Sequence, residues 1–287
     1  MVWSLVWGLV TGVGAIGTWA TLGSSRFERR FARDAKALLT TSPPLPQGAA
    51  SLELGRLAPL PAPVREYLTQ ALGDSPQRVQ SVRFRHGGRF RSKLEGPWQH
   101  IRGQQYNTTD PPAFLWWGRL SPVPGVWVDA RDRSIGGKGN MVVSLESTLT
   151  LFDRAGRELD QGALLRLLSD FVLFPSVMLD ERYVGWTPID ERHARASLRV
   201  QGSVVSGVFE FGDDGLARSF HSERYLDTGA GEPRLLPWSG DYDDYRRVHG
   251  LLVPHHFVGY WHVDGERIPY VDFTLEPPEY DVRDPFS

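Results

Sequence analysis

Between Arg78 and Leu275 apolar and polar side chains alternate along much of the chain, and a period of two commits those stretches to β-strands. The first stretch is the clearest. Val82, Phe84, Phe90 and Leu94 share one parity, while Arg83, Arg85, Arg89, Arg91 and Lys93 share the other. The Gly87-Gly88 pair can bend this strand without breaking its pattern. Further strands are expected over Ala113–Leu120, Val126–Asp132, Gly139–Phe152, Ala194–Val200 and Val204–Phe211. Asp213-Asp214-Gly215 then leads into a strand over Leu216–Tyr225, and Asp264-Gly265 joins His255–Val263 to Ile268–Leu275. Both are hairpin chemistry, because Asp and Gly accept the positive φ of tight hairpin turns.

One long helix interrupts the strands. Leu164, Leu165, Leu167, Leu168, Phe171 and Val172 give it a wide apolar face. Asp160 can cap it, and Pro175 ends it or starts a further turn through Leu179. A shorter helix begins at Pro63, buries Val64, Tyr67, Leu68, Ala71 and Leu72, and stops at Gly73. The expected class is mainly β (α+β), a long antiparallel sheet with one or two helices packed on it.

The N-terminus is of another kind. Val2 to Leu22 contains no charged side chain, and at about 1.5 Å per residue such a segment crosses a bilayer core of about 30 Å. Trp3, Trp7 and Trp19 lie toward its ends, as interfacial residues do. No basic side chain precedes it, so an uncleaved transmembrane helix is expected rather than a signal peptide. Gly8 and Gly12 form a G-x-x-x-G pair, read as ordinary small residues of a span. Arg26, Arg29, Arg30, Arg33 and Lys36 follow, which puts the C-terminal side in the cytoplasm of a single-pass membrane protein. Phe27, Phe31, Ala35 and Leu38 recur at helical spacing, either as an amphipathic helix at headgroup level or as an extension of the span. The expected organisation is an anchor with its juxtamembrane helix over 1–40, a proline-rich linker over 41–62 and a soluble β-rich domain over 63–287.

Composition narrows the chemistry. A formal net charge of −2, with no basic helix or aromatic sheet motif accompanying the arginine-rich first strand, argues against a nucleic-acid partner. The chain has no cysteine, which excludes disulfides, iron–sulfur clusters and thiol catalysis. No G-x-S-x-G elbow, P-loop or G-x-G-x-x-G is present. Gly136-Gly137-Lys138-Gly139 lacks the Walker spacing and reads as a turn. His255 and His256 are adjacent on a strand and face opposite ways, so with His249 and His262 they read as ordinary histidines rather than metal ligands. Asp241, Asp243 and Asp244 lack the later ligands of a calcium loop. No metal or cofactor is expected. The arginine parity of the first strand reads as a solvated outer face, with an anion-facing surface as the alternative.

Several segments together resemble a known pattern. They are Pro61-x-Pro63-Val64-Arg65-x-Tyr67-Leu68, Gly88-Arg89-Phe90-Arg91, Phe114-x-Trp116, and Glu158-Leu159-x-x-Gly162-x-Leu164-x-Arg166-x-Leu168-x-Asp170 with Pro175. Trp186-x-x-Ile189-Asp190, Phe209-x-Phe211-x-x-x-Gly215 and Arg224-Tyr225 complete the set. The chain resembles a bacterial family of unknown function whose members carry an N-terminal span and one such domain. It departs from the family pattern at Asp170, where a glutamate is usual. The likeness also implies, at the level of fold, an open half-barrel similar to bacterial lipoprotein carriers of the LolA and LolB kind.

The candidate ligand-binding residues follow from faces. Trp116 and Trp117 are adjacent on a strand, so one points to each side, and Trp238 and Trp261 add further flat apolar surface. Arg166 and Asp170 are four apart on the long helix and can pair, with Asp190 and Arg224 as possible members of one polar cluster. The leading reading is a membrane-tethered, non-catalytic domain whose open sheet holds a membrane lipid or other hydrophobic small molecule. The second is an enzyme on a membrane-derived substrate, with Asp170 or Asp190 as acid or base. The third is an interaction module of the cell envelope that needs no pocket.

Overall fold

The computed structural model describes residues 23–42, 51–74, 77–123, 126–226 and 232–286. Helix α1 covers residues 23–39, α2 Ala62–Leu72 and α3 Arg157–Asp170. The first run of strands is β1 Ser81–Phe90, β2 Gln99–Thr109, β3 Pro112–Val123, β4 Val126–Ile135, β5 Lys138–Leu145 and β6 Leu149–Ala155. After α3 come β7 Val184–Pro188, β8 His193–Val200, β9 Ser203–Phe211, β10 Ala217–Leu226, β11 Arg234–Val248, β12 Leu251–Val263, β13 Glu266–Leu275 and the short β14 Glu279–Tyr280.

The spatial order is β6-β5-β4-β3-β2-β1-β13-β12-β11-β10-β9-β8-β7, with β14 also pairing β1. Every pairing among the described strands is antiparallel. The order explains the architecture. One meander runs outward from β1 to the edge strand β6, and a second runs inward from the other edge, β7, to β13. The pairing of β1 with β13 joins them. Only α3 and two short 3₁₀ turns, Phe171–Leu173 and Pro175–Leu179, link β6 to β7, so α3 has to cross the concave side of a sheet that curls into a half-barrel.

The predicted hairpins form at Asp213-Asp214-Gly215 and Asp264-Gly265, and Gly136-Gly137 turns β4 into β5 with φ of 60° and 74°. Other expectations are corrected. Gly139–Phe152 is two strands, because Glu146 and Ser147 take φ of 51° and 58° and turn the chain without glycine. Strands β2, β7 and β11 were not expected. Asp160 does not cap α3, whose N-cap is Gly156. Its carboxylate instead accepts the Gly139 backbone N–H at 2.8 Å and pairs with Lys138 at 2.8 Å, pinning α3 to β5.

Two cores lie on opposite faces. On the concave side, α2, α3 and the 3₁₀ turns pack on both meanders through Tyr67, Leu168, Phe171, Phe174, Phe209 and Phe220. Aromatic rings there cover neighbouring glycines of the same or the adjacent strand. A Cβ on Gly118 would come within 2.5 Å of the Trp116 ring, and one on Gly240 within 2.4 Å of Phe257. The rings thus form a thin floor that leaves height for α3.

On the convex side, Phe31, Ala35, Leu38 and Leu39 of α1 bury against Tyr106, Ala113 and Leu115. The apolar stripe, read from the sequence as lying at headgroup level or as extending the span, therefore meets the protein's own sheet. The arginines of β1 also lie on this side. Arg83 pairs with Glu279 at 2.7 Å, Arg89 with Asp272, and Arg85 rests over Phe286.

No helix among the described residues is long and apolar enough to cross a membrane. The expected span, Val2 to Leu22, lies outside the described residues, as do residues 43–50 of the expected linker. Leu52 and Leu57, near the end of that expected linker, are buried in the concave core.

Candidate binding site on the concave face

The long helix brings one arginine into the sheet. Arg166 of α3 donates to Asp132 of β4 at 2.8 Å and to the Gln105 carbonyl of β2 at 2.8 Å. The Gln105 amide donates in turn to Asp170 at 2.8 Å and to Asn107 at 3.0 Å. Arg166 and Asp170 are therefore coupled through Gln105, and the expected direct pair is replaced by an Arg166–Asp132 ion pair from another element. The guanidinium also lies over the rings of Phe114 and Trp116, at 4.8 and 4.9 Å.

A second arginine arrives from the opposite meander. Arg224 of β10 lies over Trp238 at 4.6 Å and Trp261 at 5.8 Å, above Gly162 of α3. Its Nε is buried without a hydrogen-bond partner among the described residues. Tyr270 supports this wall, its hydroxyl accepting from the Trp238 indole at 3.0 Å.

The electrostatics are those of a crowded, dry site. Burial pushes the Asp132 carboxyl above its ordinary range, and the nearby Arg166 and Arg224 cations oppose that rise. Burial raises Asp170 in the same way, again opposed by Arg166. Burial and the Arg166 charge hold His86 of β1 down to about 3. Its Nε2 accepts from the Trp116 indole at 2.8 Å, so its proton sits on Nδ1 and it remains a neutral spacer. Two cations thus face two carboxyls that resist ionisation. Protonation of either carboxyl leaves net positive charge at the cluster.

An apolar path leads away from this cluster. Ile101, Leu120, Val128, Leu145 and Leu149 are directly opposed across β2 to β6, so they share the concave face. Their exposure grades outward. Ile101 and Leu120 are buried, Val128 and Leu145 are partly exposed, and Leu149 is 55% exposed. A second row, Gly118, Ala130 and Val143, runs between them and the Trp116–Asp132 pair. Leu226, Leu236, Val263 and Tyr270 are among the partly exposed apolar residues on the other meander, and Phe90 at the end of β1 is another.

The structure brings together Trp116, Arg166, Asp170, Arg224, Trp238 and Trp261. It does not bring in Trp117, which points to the convex side, donates to Asp129 at 2.8 Å and packs on Phe27 and Phe31 of α1. Nor does it bring in Asp190, which is exposed in a turn and bonds the Arg192 and His193 backbone N–H groups and the His193 ring. Sequence reasoning missed Asp132, Gln105 and His86. Only the buried parity of β4 hinted at Asp132.

Other polar clusters hold their own partners. An open convex cleft of about 490 Å³ contains Ser219, His221 and Glu210. Ser219 lies 2.7 Å from His221 Nε2 and donates to Glu210 at 2.8 Å, so hydroxyl and carboxylate meet the same ring nitrogen. A nucleophilic triad needs the carboxylate on the other nitrogen. Asp241 pairs with Arg267 at 2.5 Å and Asp244 with Arg246 at 2.5 Å. His255 is buried on the concave side while His256 meets Asp272 at 2.9 Å on the convex one. Among the described residues no three His, Asp or Glu side chains converge as a metal site.

A family model of unknown function, DUF6544, matches residues 50–273, which includes the whole concave site. The chain belongs to the DUF6544 family. No curated protein matches the sequence. Two solved structures are similar to this DUF6544 member. One is a DUF1329 family protein from Desulfovibrio piger, 13% identical, covering 71% of this chain and 87% of that one with a TM-score of 0.39. The other is the LolA superfamily protein NE2245 from Nitrosomonas europaea, 8% identical, covering 76% and 91% with a TM-score of 0.35.

Proposed function

We propose that this domain binds a lipid or other hydrophobic molecule on its concave face, without turnover, and that residues 2–22 tether it to a membrane. The observation that carries the reading is the graded row from Ile101 to Leu149 beside two ring-stacked arginines. An alkyl chain laid along that row gains about 0.8 kcal/mol per buried methylene. Arg224, with its unsatisfied Nε, suits an acidic head at the inner end. A tether would keep the domain near its source of ligand and raise the effective concentration.

The test uses a shortened chain that begins at Gly23. That start retains α1, which covers Tyr106 and Leu115. Purified without detergent, the protein is expected to carry a hydrophobe visible by native mass spectrometry and extractable into organic solvent. A folded chain that carries none and takes up no fluorescent fatty acid would refute the reading and favour an interaction module.

A further inference from the structure

The apolar row opens at a particular corner. Its last member, Leu149, starts β6, and Leu151 follows on the same edge strand. Their exposures of 55% and 56% are among the largest for big apolar side chains in the described structure. A free edge strand with bare leucines is normally covered or charged. Here the same corner receives the start of α1. A Cβ on Gly23 would lie 2.0 Å from Thr148 Cγ2 and 3.2 Å from the Glu146 carbonyl, so the chain passes tightly against the β5–β6 turn.

The attachment is fixed by charge as well. Arg119 of β3 reaches Ser24 Oγ at 3.0 Å and Glu28 at 3.6 Å, and is itself held by the buried Asp129 at 2.7 Å. Trp127 sits in the same corner, its indole donating to Ser147 at 3.0 Å. One residue before Gly23, the uncharged run of Val2 to Leu22 ends. Arg26, Arg29 and Arg30 stand exposed on the first turns of α1.

We propose that the β5–β6 corner, with Leu149, Leu151 and Trp127, is a membrane-contact edge that rests in the bilayer interface and opens the concave apolar row toward lipid. The proposal rests on the reading of residues 2–22 as a span. The span would deliver the chain at Gly23, and the rigid seat of Gly23 and Ser24 allows the corner little distance from the surface. Exposed apolar residues flanked by a tryptophan and by arginines match the chemistry of the headgroup boundary. A hydrophobe could then pass from the bilayer into the row between Leu149 and Ile101 without crossing water.

The absence of cysteine makes the test clean. Leu149→Cys and Leu151→Cys place an environment-sensitive fluorophore at the corner, and Ile189→Cys places one on an exposed residue after β7. The full chain is reconstituted into phosphatidylcholine vesicles with or without doxyl-labelled lipid. Flotation with the vesicles, blue-shifted corner probes and doxyl quenching at least severalfold above that at Ile189 are expected. A chain that floats with all probes equally in water overturns the contact alone. A chain that does not float overturns the span and the contact together. Fatty-acid uptake by the chain from Gly23 reports on the binding reading independently of both.

Discussion

The two ends of the concave face are built from the same kinds of residue and differ in what finishes them. Toward the β11–β12 turn, α2 and the 3₁₀ turns lie over the floor, and Tyr67, Phe209 and Phe220 are essentially inaccessible. Two hydroxyls there meet backbone carbonyls, Tyr242 donating to Ser169 at 2.8 Å and Tyr245 to Ala217 at 2.7 Å. Toward the start of β6, the floor has no such cover over Val128, Leu145 and Leu149, and the polar groups are charges stacked on rings. A sheet that needed only stability would treat both ends like the first. The second end accepts exposed apolar surface and crowded charge, both of which oppose stability and suit a ligand.

The largest effect expected in breaking this contrast is at Arg166. Removing it strands Asp132 and Asp170 in a dry site, so Arg166→Ala should cost about 3–5 kcal/mol in urea unfolding. Arg83→Ala, which breaks the more exposed Arg83–Glu279 pair on the convex side, should cost under about 1 kcal/mol. Equal costs would place the Arg166 cluster in solvent. Tyr242→Phe at the covered end should cost about 1–2 kcal/mol by the same measurement and leave fatty-acid uptake unchanged. A loss of uptake there would mean that the guest reaches the covered end.

The last effect concerns pH. Folding favours the neutral form of Asp170, because burial lifts its pKa above the unfolded value. Its contribution to stability is complete below about pH 4 and declines as pH rises through the folded value. Asparagine does not titrate. Asp170→Asn should therefore gain on the unmodified protein as the pH rises above about 4. A gain in the opposite direction would show that Arg166 outweighs burial at this carboxyl.

Much of the fold was legible because its signals are local. The turns at Asp213–Gly215 and Asp264-Gly265, the Gly73 stop and the leucines of α3 act within a few residues. Strand β2 was hidden because, beyond Ile101, its concave positions include Gly103, Gln105 and Asn107, a run without apolar side chains whose burial makes sense only beside Arg166 and Asp170 of a distant helix. Strand β11 was hidden by Pro237 and by Gly240, which stands where the alternation between Trp238 and Tyr242 calls for an apolar residue.

At the site, face parity put one of Trp116 and Trp117 on each side without saying which faces inward, and Trp238 and Trp261 were named only as further flat apolar surface. Arg166, Asp170 and Arg224 were legible as charges among apolar neighbours. Asp190 was not separable from them in sequence, because its turn hydrogen bonds use the same residue type. The amphipathic spacing of α1 was visible, but spacing alone does not say whether lipid or Tyr106 meets the stripe.

The most direct measurement is uptake of a fluorescent fatty acid by the chain beginning at Gly23, compared with the fatty alcohol of the same length. Saturable one-to-one binding of the acid is predicted. Arg224→Met should weaken it about tenfold, or about 1.4 kcal/mol, while leaving the alcohol and the unfolding midpoint nearly unchanged. No binding of either probe by folded protein, or equal loss of both on Arg224→Met, would contradict the concave site as described.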